Sequence, residues 1–277
     1  MNQLKYRALA LDLDGTLTDS EKCIPKDNIE AIQKAIDLGV TVILASGRST
    51  LGMTGVAKEL GLMERGGIIA AYNGGKLIDC QTNHTILEYE LPRDCIGDLC
   101  RIAARYGAIP VCYNDTQVVS ENDSDPYVLL ECKCNNTTVL KVESLPDYLT
   151  YPVPKIMIAA DHDRLLSVQK EILAQYGDRL VADFATPYFL DVSVVGVSKD
   201  QALAKICEHL GITSGEMMVC GDGLNDIPMF DFAGLAVGMK NSYPEAAKHA
   251  DVIVPRTNDE AGVAYAVRKY LLGETVE

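Results

Sequence analysis

Apolar runs and amphipathic stretches alternate along the first third of the chain. Ala8 to Leu13 is apolar apart from Asp12. "PKDNIEAIQKAIDLG" follows, with Ile29, Ile32 and Ile36 on one helical stripe and Gly39 as its stop, and then the apolar run "VTVILAS". A helix over "STLGMTGVAKELG" and a strand over "GIIAAYNGG" come next. Strands separated by amphipathic helices predict β-α-β units and a parallel sheet.

After Gly75 the pattern changes to "ILEYEL", the helix "PRDCIGDLCRIAARYG", and the short strands "AIPVCYND" and "TQVVSEN". "KIMIAAD", a helix around "RLLSVQKEILAQYG" and the close strands "LVADFA" and "YFLDVSVV" continue this α+β texture to about Val194. From Ser198 the β-α-β rhythm returns through "SKDQALAKICEHLG", "EMMVCGDG", "LAVGM" and "DVIV". The two ends therefore read as halves of one α/β domain, residues 1–83 and 194–277, with 84–193 inserted between them. Loop-closure entropy grows slowly with length, so an insertion of that size is tolerated.

Composition narrows the partners. The 277 residues are 48% hydrophobic and 23% charged, ordinary globular usage. A formal charge of -14 repels nucleic acid and anionic membrane surfaces, so neither is expected as a partner. An anionic small molecule would need local positive charge, from a metal ion or a placed lysine. Nine cysteines scattered through apolar segments predict reduced thiols, and Cys132 and Cys134 form a CxC without the companions of a zinc site. The N-terminal apolar stretch is too short for a signal peptide and no run reaches membrane-spanning length, so a cytoplasmic protein is expected. Nothing in the pattern sets the oligomeric state.

Candidate chemistry gathers at strand ends. Asp12 and Asp14 lie at positions i and i+2, on one face of an extended strand, at the carboxyl edge where open α/β sheets place ligands. Two carboxylates held together repel unless a cation or a shared proton intervenes. Gly15 permits a sharp turn, and Thr16 can bond back to these aspartates. A polar strand end followed by a DG turn explains the same residues locally. "VILASGRS" ends another strand in Ser46, Gly47 and Arg48, where Ser46 also suits a turn or a helix cap. "GVSKDQAL" places Lys199 at a helix start, where Ser198 and Gln201 fit a capping box. "VCGDGLNDIPMF" ends a strand in Asp222 and sets Asn225 and Asp226 a helical turn further on.

Together "DLDGT", "SGR", "SKDQAL" and "GDGLND" resemble the four ordered motifs of the haloacid dehalogenase superfamily, and the long insert between the second and third is similar to that of the Cof-type phosphatases with a type IIB cap. "YNGG" at residues 72–75 resembles the Asn-Gly stretch these proteins carry before the cap. The resemblance implies a Rossmann-like core of parallel sheet flanked by helices, plus an inserted α+β cap domain. It implies Asp12 as the nucleophile that takes the phosphoryl group and Asp14 as the acid, then base. Mg2+ would be held by the Asp12 carboxylate, the Asp14 backbone carbonyl and Asp222, with Asp226 as a further ligand or a supporting group. Ser46 with the neighbouring Gly47 and Arg48, Lys199 and Asn225 would bind the phosphate.

The implied activity is hydrolysis of a small phosphorylated metabolite, such as a sugar phosphate or a phosphorylated cofactor precursor. A phosphomutase similar to the phosphomannomutases would need cap cations for a second phosphate, and Arg93, Arg101, Arg105, Arg164 and Arg179 are spread out. A catalytically silent phosphate-binding regulator could dispense with Asp12, Asp14 or Lys199, and all three are present. Asp200 stands where relatives often have Gly, and Ser46 where many have Thr. At the second position of a helix the dipole favours an acid such as Asp200, and Ser46 keeps the hydroxyl of Thr.

Overall fold

The computed structural model describes residues 4–276. The chain begins with β1 (Ala8–Leu11), α1 (Lys26–Asp37), β2 (Thr41–Ala45), α2 (Thr50–Glu59), the single turn α3 (Leu62–Arg65), β3 (Ile68–Ala71), β4 (Lys76–Asp79) and β5 (Thr85–Glu88). The middle comprises α4 (Arg93–Arg105), β6 (Ile109–Tyr113), β7 (Val118–Ser120), α5 (Pro126–Cys134), β8 (Val139–Lys141), α6 (Leu145–Tyr148), β9 (Lys155–Ala159), α7 (His162–Tyr176), β10 (Leu180–Thr186) and β11 (Phe189–Val194). The last third runs through α8 (Lys199–Leu210), β12 (Met217–Gly221), α9 (Ile227–Phe232), β13 (Leu235–Gly238), α10 (Pro244–Ala247), β14 (Val252–Ile253) and α11 (Gly262–Ala266).

The chain divides into two compact units. The first takes the chain through Ser46, then Met53–Ile86, then everything from Ser198 on; the second takes Gly47–Gly52 and Leu87–Val197. The short stretch after Ser46 thus groups with the inserted middle.

In the first unit the strand order is β14-β13-β12-β1-β2-β3-β4-β5. Pairing is parallel from β14 to β3, and β4 returns antiparallel to β3. The strands β1, β2 and β3 step one way and β12, β13 and β14 the other, so the topological switch point lies between β1 and β12, where such sheets bind ligands. Both strands are buried throughout, and their apolar residues read as continuous runs because helices cover both faces of a parallel sheet.

The buried stripe of α1 is displaced from the isoleucine stripe. Asn28, Ala31, Ile32 and Ala35 are buried, whereas Ile29 and Ile36 are only half-buried. Asn28 explains the shift: its Nδ2 donates to the Leu17 carbonyl (3.0 Å) and its Oδ1 accepts from the Ala264 amide (2.8 Å). One buried amide side chain satisfies a loop carbonyl and a first-turn helix amide that would otherwise be orphaned.

In the second unit the strand order is β10-β11-β9-β6-β7-β8. Leu99, Ile102, Ile156, Ile158, Leu165, Val168, Leu190 and Val192 form an apolar core between one sheet face and helices α4 and α7. Alternation along β9 and β11 turns Lys155, Met157 and Asp191 to the other face. α5 was not apparent from periodicity, since its apolar residues form no clean stripe. Its signal is Asp125-Pro126: the Asp125 carboxylate accepts from the Tyr127 and Val128 amides, and Pro126 takes the first helical position.

Among the described residues no helix is long and apolar enough to cross a membrane. All nine cysteines are free thiols. Burial pushes Cys80, Cys100 and Cys112 up to about 12, so these thiols stay protonated and pack as apolar groups.

Candidate active site

β1 delivers Asp12 to the carboxyl edge of the first sheet, where the Asp12 amide donates to the Cys220 carbonyl (3.0 Å) beside the end of β12. The chain must then reverse within two residues. Gly15, at φ +83, makes that possible, and a Cβ there would lie 2.4 Å from Asp222 Oδ2. The turn closes through bonds from the Leu17 amide to the Asp12 carbonyl (3.2 Å) and from the Thr18 amide to the Leu13 carbonyl (2.9 Å).

Lys199 enters from the first turn of α8, 2% exposed. Its Nζ donates to Asp12 Oδ1 (2.6 Å) and Asp226 Oδ1 (2.5 Å). The remaining Asp226 oxygen, Oδ2, accepts from the amides of Asp222 and Gly223, each at 2.8 Å. Asp226 therefore locks the β12 turn and aims Lys199 at Asp12. Gly221 is required here, since a Cβ would lie 2.6 Å from Asp226 Oδ2. Asp222 Oδ1 accepts from the Thr16 hydroxyl (2.7 Å), so Thr16 bonds across to Asp222 rather than back to the aspartates of its own turn. Ser198 forms no capping box: its hydroxyl donates to Asp200 instead.

Carboxylate oxygens of Asp12, Asp222 and Asp226 lie within 4.8 Å of one another, all three residues buried. Three carboxylates against one ammonium leave an excess of two negative charges if all are ionised. The electrostatics register that excess. Burial, with Asp226 adding to it, raises the Asp12 carboxyl well above its ordinary range despite Lys199. Burial likewise pushes Asp222 up to about 6 against the opposing Thr16 hydrogen bond. Burial alone would lower Lys199, but Asp12 and Asp226 outweigh it and hold the ammonium above its ordinary value. The donor set is three hard carboxylate oxygens in a buried, over-negative pocket, which fits a divalent cation.

The other predicted residues take distinct places. The Asp14 carboxylate lies outside the cluster, half exposed, and pairs with Lys22 Nζ (2.6 Å). Ser46, 3% exposed, follows β2: its amide donates to the Ala70 carbonyl (3.1 Å) and its carbonyl accepts from the Asn73 amide (2.9 Å). Gly47 and Arg48 belong to the second unit. Asn225 is exposed in the turn after β12, and its Nδ2 donates to Asn73 Oδ1 (3.3 Å).

Asn73 thus ties the Ser46 strand end to the Asn225 turn, a linking role absent from the sequence-based site. The Asn-Gly pair was its signal: Asn73 sits at φ 55, and Gly74 at φ +100 passes α8 so closely that a Cβ would lie 2.5 Å from Ala202 Cβ. Asn241 and Lys22 carried no such signal. Asn241 Nδ2 donates to the Gly15 carbonyl (2.8 Å) from 226 residues away, and Lys22 reaches Asp14 only because the intervening turn folds back.

Residues 9–267 match the family model for haloacid dehalogenase-like hydrolases. The chain belongs to this family. Among solved structures, a haloacid dehalogenase-like hydrolase from Bacteroides thetaiotaomicron is similar at TM-score 0.93 and 35% identity, over 96% of this chain and 99% of that one. The haloacid dehalogenase subclass IIB sugar phosphatase BT4131 shares the fold at TM-score 0.79 and 21% identity, over 95% and 98% of the two chains. The 5-amino-6-(5-phospho-D-ribitylamino)uracil phosphatase YwtE of Bacillus subtilis is 26% identical over 97% of this chain and 99% of its own length. The fold is therefore the α/β core of this hydrolase family, and the chain is an enzyme.

Proposed function

We propose that the protein is a Mg2+-dependent phosphatase that hydrolyses a small phosphorylated metabolite, a sugar phosphate or a phosphorylated cofactor precursor, through a phosphoryl-aspartate on Asp12. The observation that carries this reading is the pair formed by Asp12 and Lys199. A buried carboxylate at the switch point is held by a buried ammonium on one oxygen, beside two further acids. The relatives named above act, by their names, on a sugar phosphate and on a ribitylaminouracil phosphate, which supports a small metabolite as substrate.

In this reading a carboxylate oxygen of Asp12 attacks phosphorus, and the bond from phosphorus to the leaving oxygen breaks as the Asp14 carboxyl gives that oxygen its proton. Asp14, now a carboxylate, takes a proton from water. The water oxygen attacks phosphorus, the bond to Asp12 breaks, and phosphate leaves with Asp12 restored. Lys199 draws the Asp12 carboxyl back toward its ionised form and offsets charge on the transferring group. The Ser46 hydroxyl and the adjoining Gly47 amide bind phosphate oxygens, and Asn225, steadied by Asn73, helps hold the group.

Asp12, the Asp14 carbonyl and Asp222 would hold Mg2+, and Asp226, whose two oxygens already accept from Lys199 and two amides, supports them. When bound, the ion neutralises the carboxylate excess and polarises the phosphoryl oxygens. Each of the five arginines Arg93, Arg101, Arg105, Arg164 and Arg179 is paired with its own acid, Glu90, Asp98, Glu171, Asp161 and Asp94 respectively. That leaves no arginine cluster for a second phosphate and favours hydrolase over mutase.

Turnover of p-nitrophenyl phosphate and of a panel of sugar phosphates and phosphorylated cofactor precursors tests the reading. Asp12→Asn is expected to cut turnover by about 10⁴-fold or more, the scale seen when a catalytic nucleophile is removed. Turnover within tenfold of the parent would sink the assignment.

A further inference from the structure

The stretch that leaves Ser46 is gripped from two sides within the second unit. On one side Lys155, at the start of β9, donates from Nζ to the Gly47 carbonyl (3.0 Å) and to Asp191 Oδ2 on β11 (2.7 Å). On the other, the Ser49 hydroxyl accepts from the Gly52 amide (3.3 Å) and donates to Asn135 Oδ1 (3.0 Å). Asn135 Nδ2 in turn donates to Glu131 Oε1 (2.6 Å), which also accepts from the Tyr113 hydroxyl (2.8 Å). The fit is close: a Cβ at Gly52 would lie 2.4 Å from Asn135 Oδ1.

This is a costly way to hold a loop if stability were its purpose. The side chains of Lys155 and Asp191 are 6% and 11% exposed, and Asp191 Oδ1 accepts no hydrogen bond from the described residues. Well-packed apolar residues in place of such a pair are often at least as stabilising. A buried acceptor left unmatched is a rare feature in a folded protein. The other partner of Lys155 supplies a reason, because Gly47 is the residue that follows Ser46.

We propose that Lys155, clamped by Asp191, is a positioning residue for phosphate binding: it fixes the Gly47 carbonyl and thereby the backbone that sets the Ser46 hydroxyl and Gly47 amide toward a phosphate group. The proposal rests on the phosphatase reading above. A residue on the sheet of the inserted unit then governs affinity for the phosphate itself, besides any part that unit has in choosing the leaving group.

Inorganic phosphate separates these roles, since it has no leaving group to recognise. The full-length protein is assayed with p-nitrophenyl phosphate for KM and kcat, and with inorganic phosphate as product inhibitor. Lys155→Met is expected to raise the phosphate inhibition constant and KM together by about tenfold, the size of one charge-assisted hydrogen bond, with kcat within about threefold of the parent. Lys155→Met combined with Asp191→Leu removes the carboxylate left behind, and is the variant to read if the single change does not fold. It is expected to show the same rise. A folded variant whose phosphate inhibition constant matches the parent would overturn the proposal while leaving the phosphatase reading intact. A parent protein that releases no phosphate from any ester would instead remove that reading.

Discussion

Each unit buries one lysine among acids, and the two clusters are balanced differently. Lys199 meets Asp12 and Asp226, with Asp222 beside them: three carboxylates for one cation, with protein donors for only part of their oxygens. Lys155 meets Asp191, and nearby Glu131 is served by the neutral donors Tyr113 and Asn135. Lys155 spends its further capacity on a backbone carbonyl. The first cluster holds more acid than its one lysine balances, a donor set that fits a divalent cation. The second is closed on protein groups, apart from one carboxylate oxygen, and is organised to hold a loop. A buried lysine is common to both clusters; what sets the first apart is three carboxylates within reach of one another against one ammonium.

Removing the lysine from the over-negative cluster should have the largest effect. Without divalent ion at neutral pH, Lys199→Met leaves the acids with no cation, and stability is expected to fall by roughly 3–5 kcal/mol, the cost of breaking a buried ion pair by deleting one partner. Urea denaturation of parent and variant in chelator measures it. A loss under about 1 kcal/mol would mean the surplus is already relieved by protons, and the contrast between the clusters would weaken.

The next effect concerns pH. Burial raises Asp222 from 3.8 to about 6 in the folded state. A raised carboxyl binds its proton more tightly folded than unfolded, so its contribution is complete below the unfolded value and is lost as pH rises through about 6. In metal-free buffer the parent should therefore lose up to roughly 3 kcal/mol relative to Asp222→Asn between the two values, at about 1.4 kcal/mol per unit. Parallel stability curves for the two proteins would show that burial does not raise the Asp222 carboxyl in the folded state.

Much of the site was legible because its groups recur at strand ends. The placement of Asp12, Ser46 and Asp222 at the carboxyl edge follows from apolar runs that stop at polar residues, and a parallel sheet puts those stops along one edge. Gly15 was legible as a turn; its second duty, admitting the Asp222 carboxylate, depends on a residue 207 positions away. Partner choices set by tertiary contact were not legible. Thr16 turns to Asp222, Ser198 to Asp200, and Lys22 to Asp14, each choice decided by which group lies within reach after folding. The hold of Lys155 on Gly47 is the extreme case, because a lysine opening an apolar strand reads locally as an exposed end.

The most direct test of the central claim is the thermal shift produced by Mg2+ at neutral pH in three proteins: the parent, Asp222→Asn and Asp191→Asn. At a hundredfold excess over the dissociation constant a bound ion stabilises by about 2.7 kcal/mol, enough to raise Tm by several degrees. The parent and Asp191→Asn should both show that rise, and Asp222→Asn should lose most of it. A parent that does not respond to Mg2+, or an Asp222→Asn protein that responds as fully as the parent, would contradict the assignment of the acid surplus to a divalent-ion site.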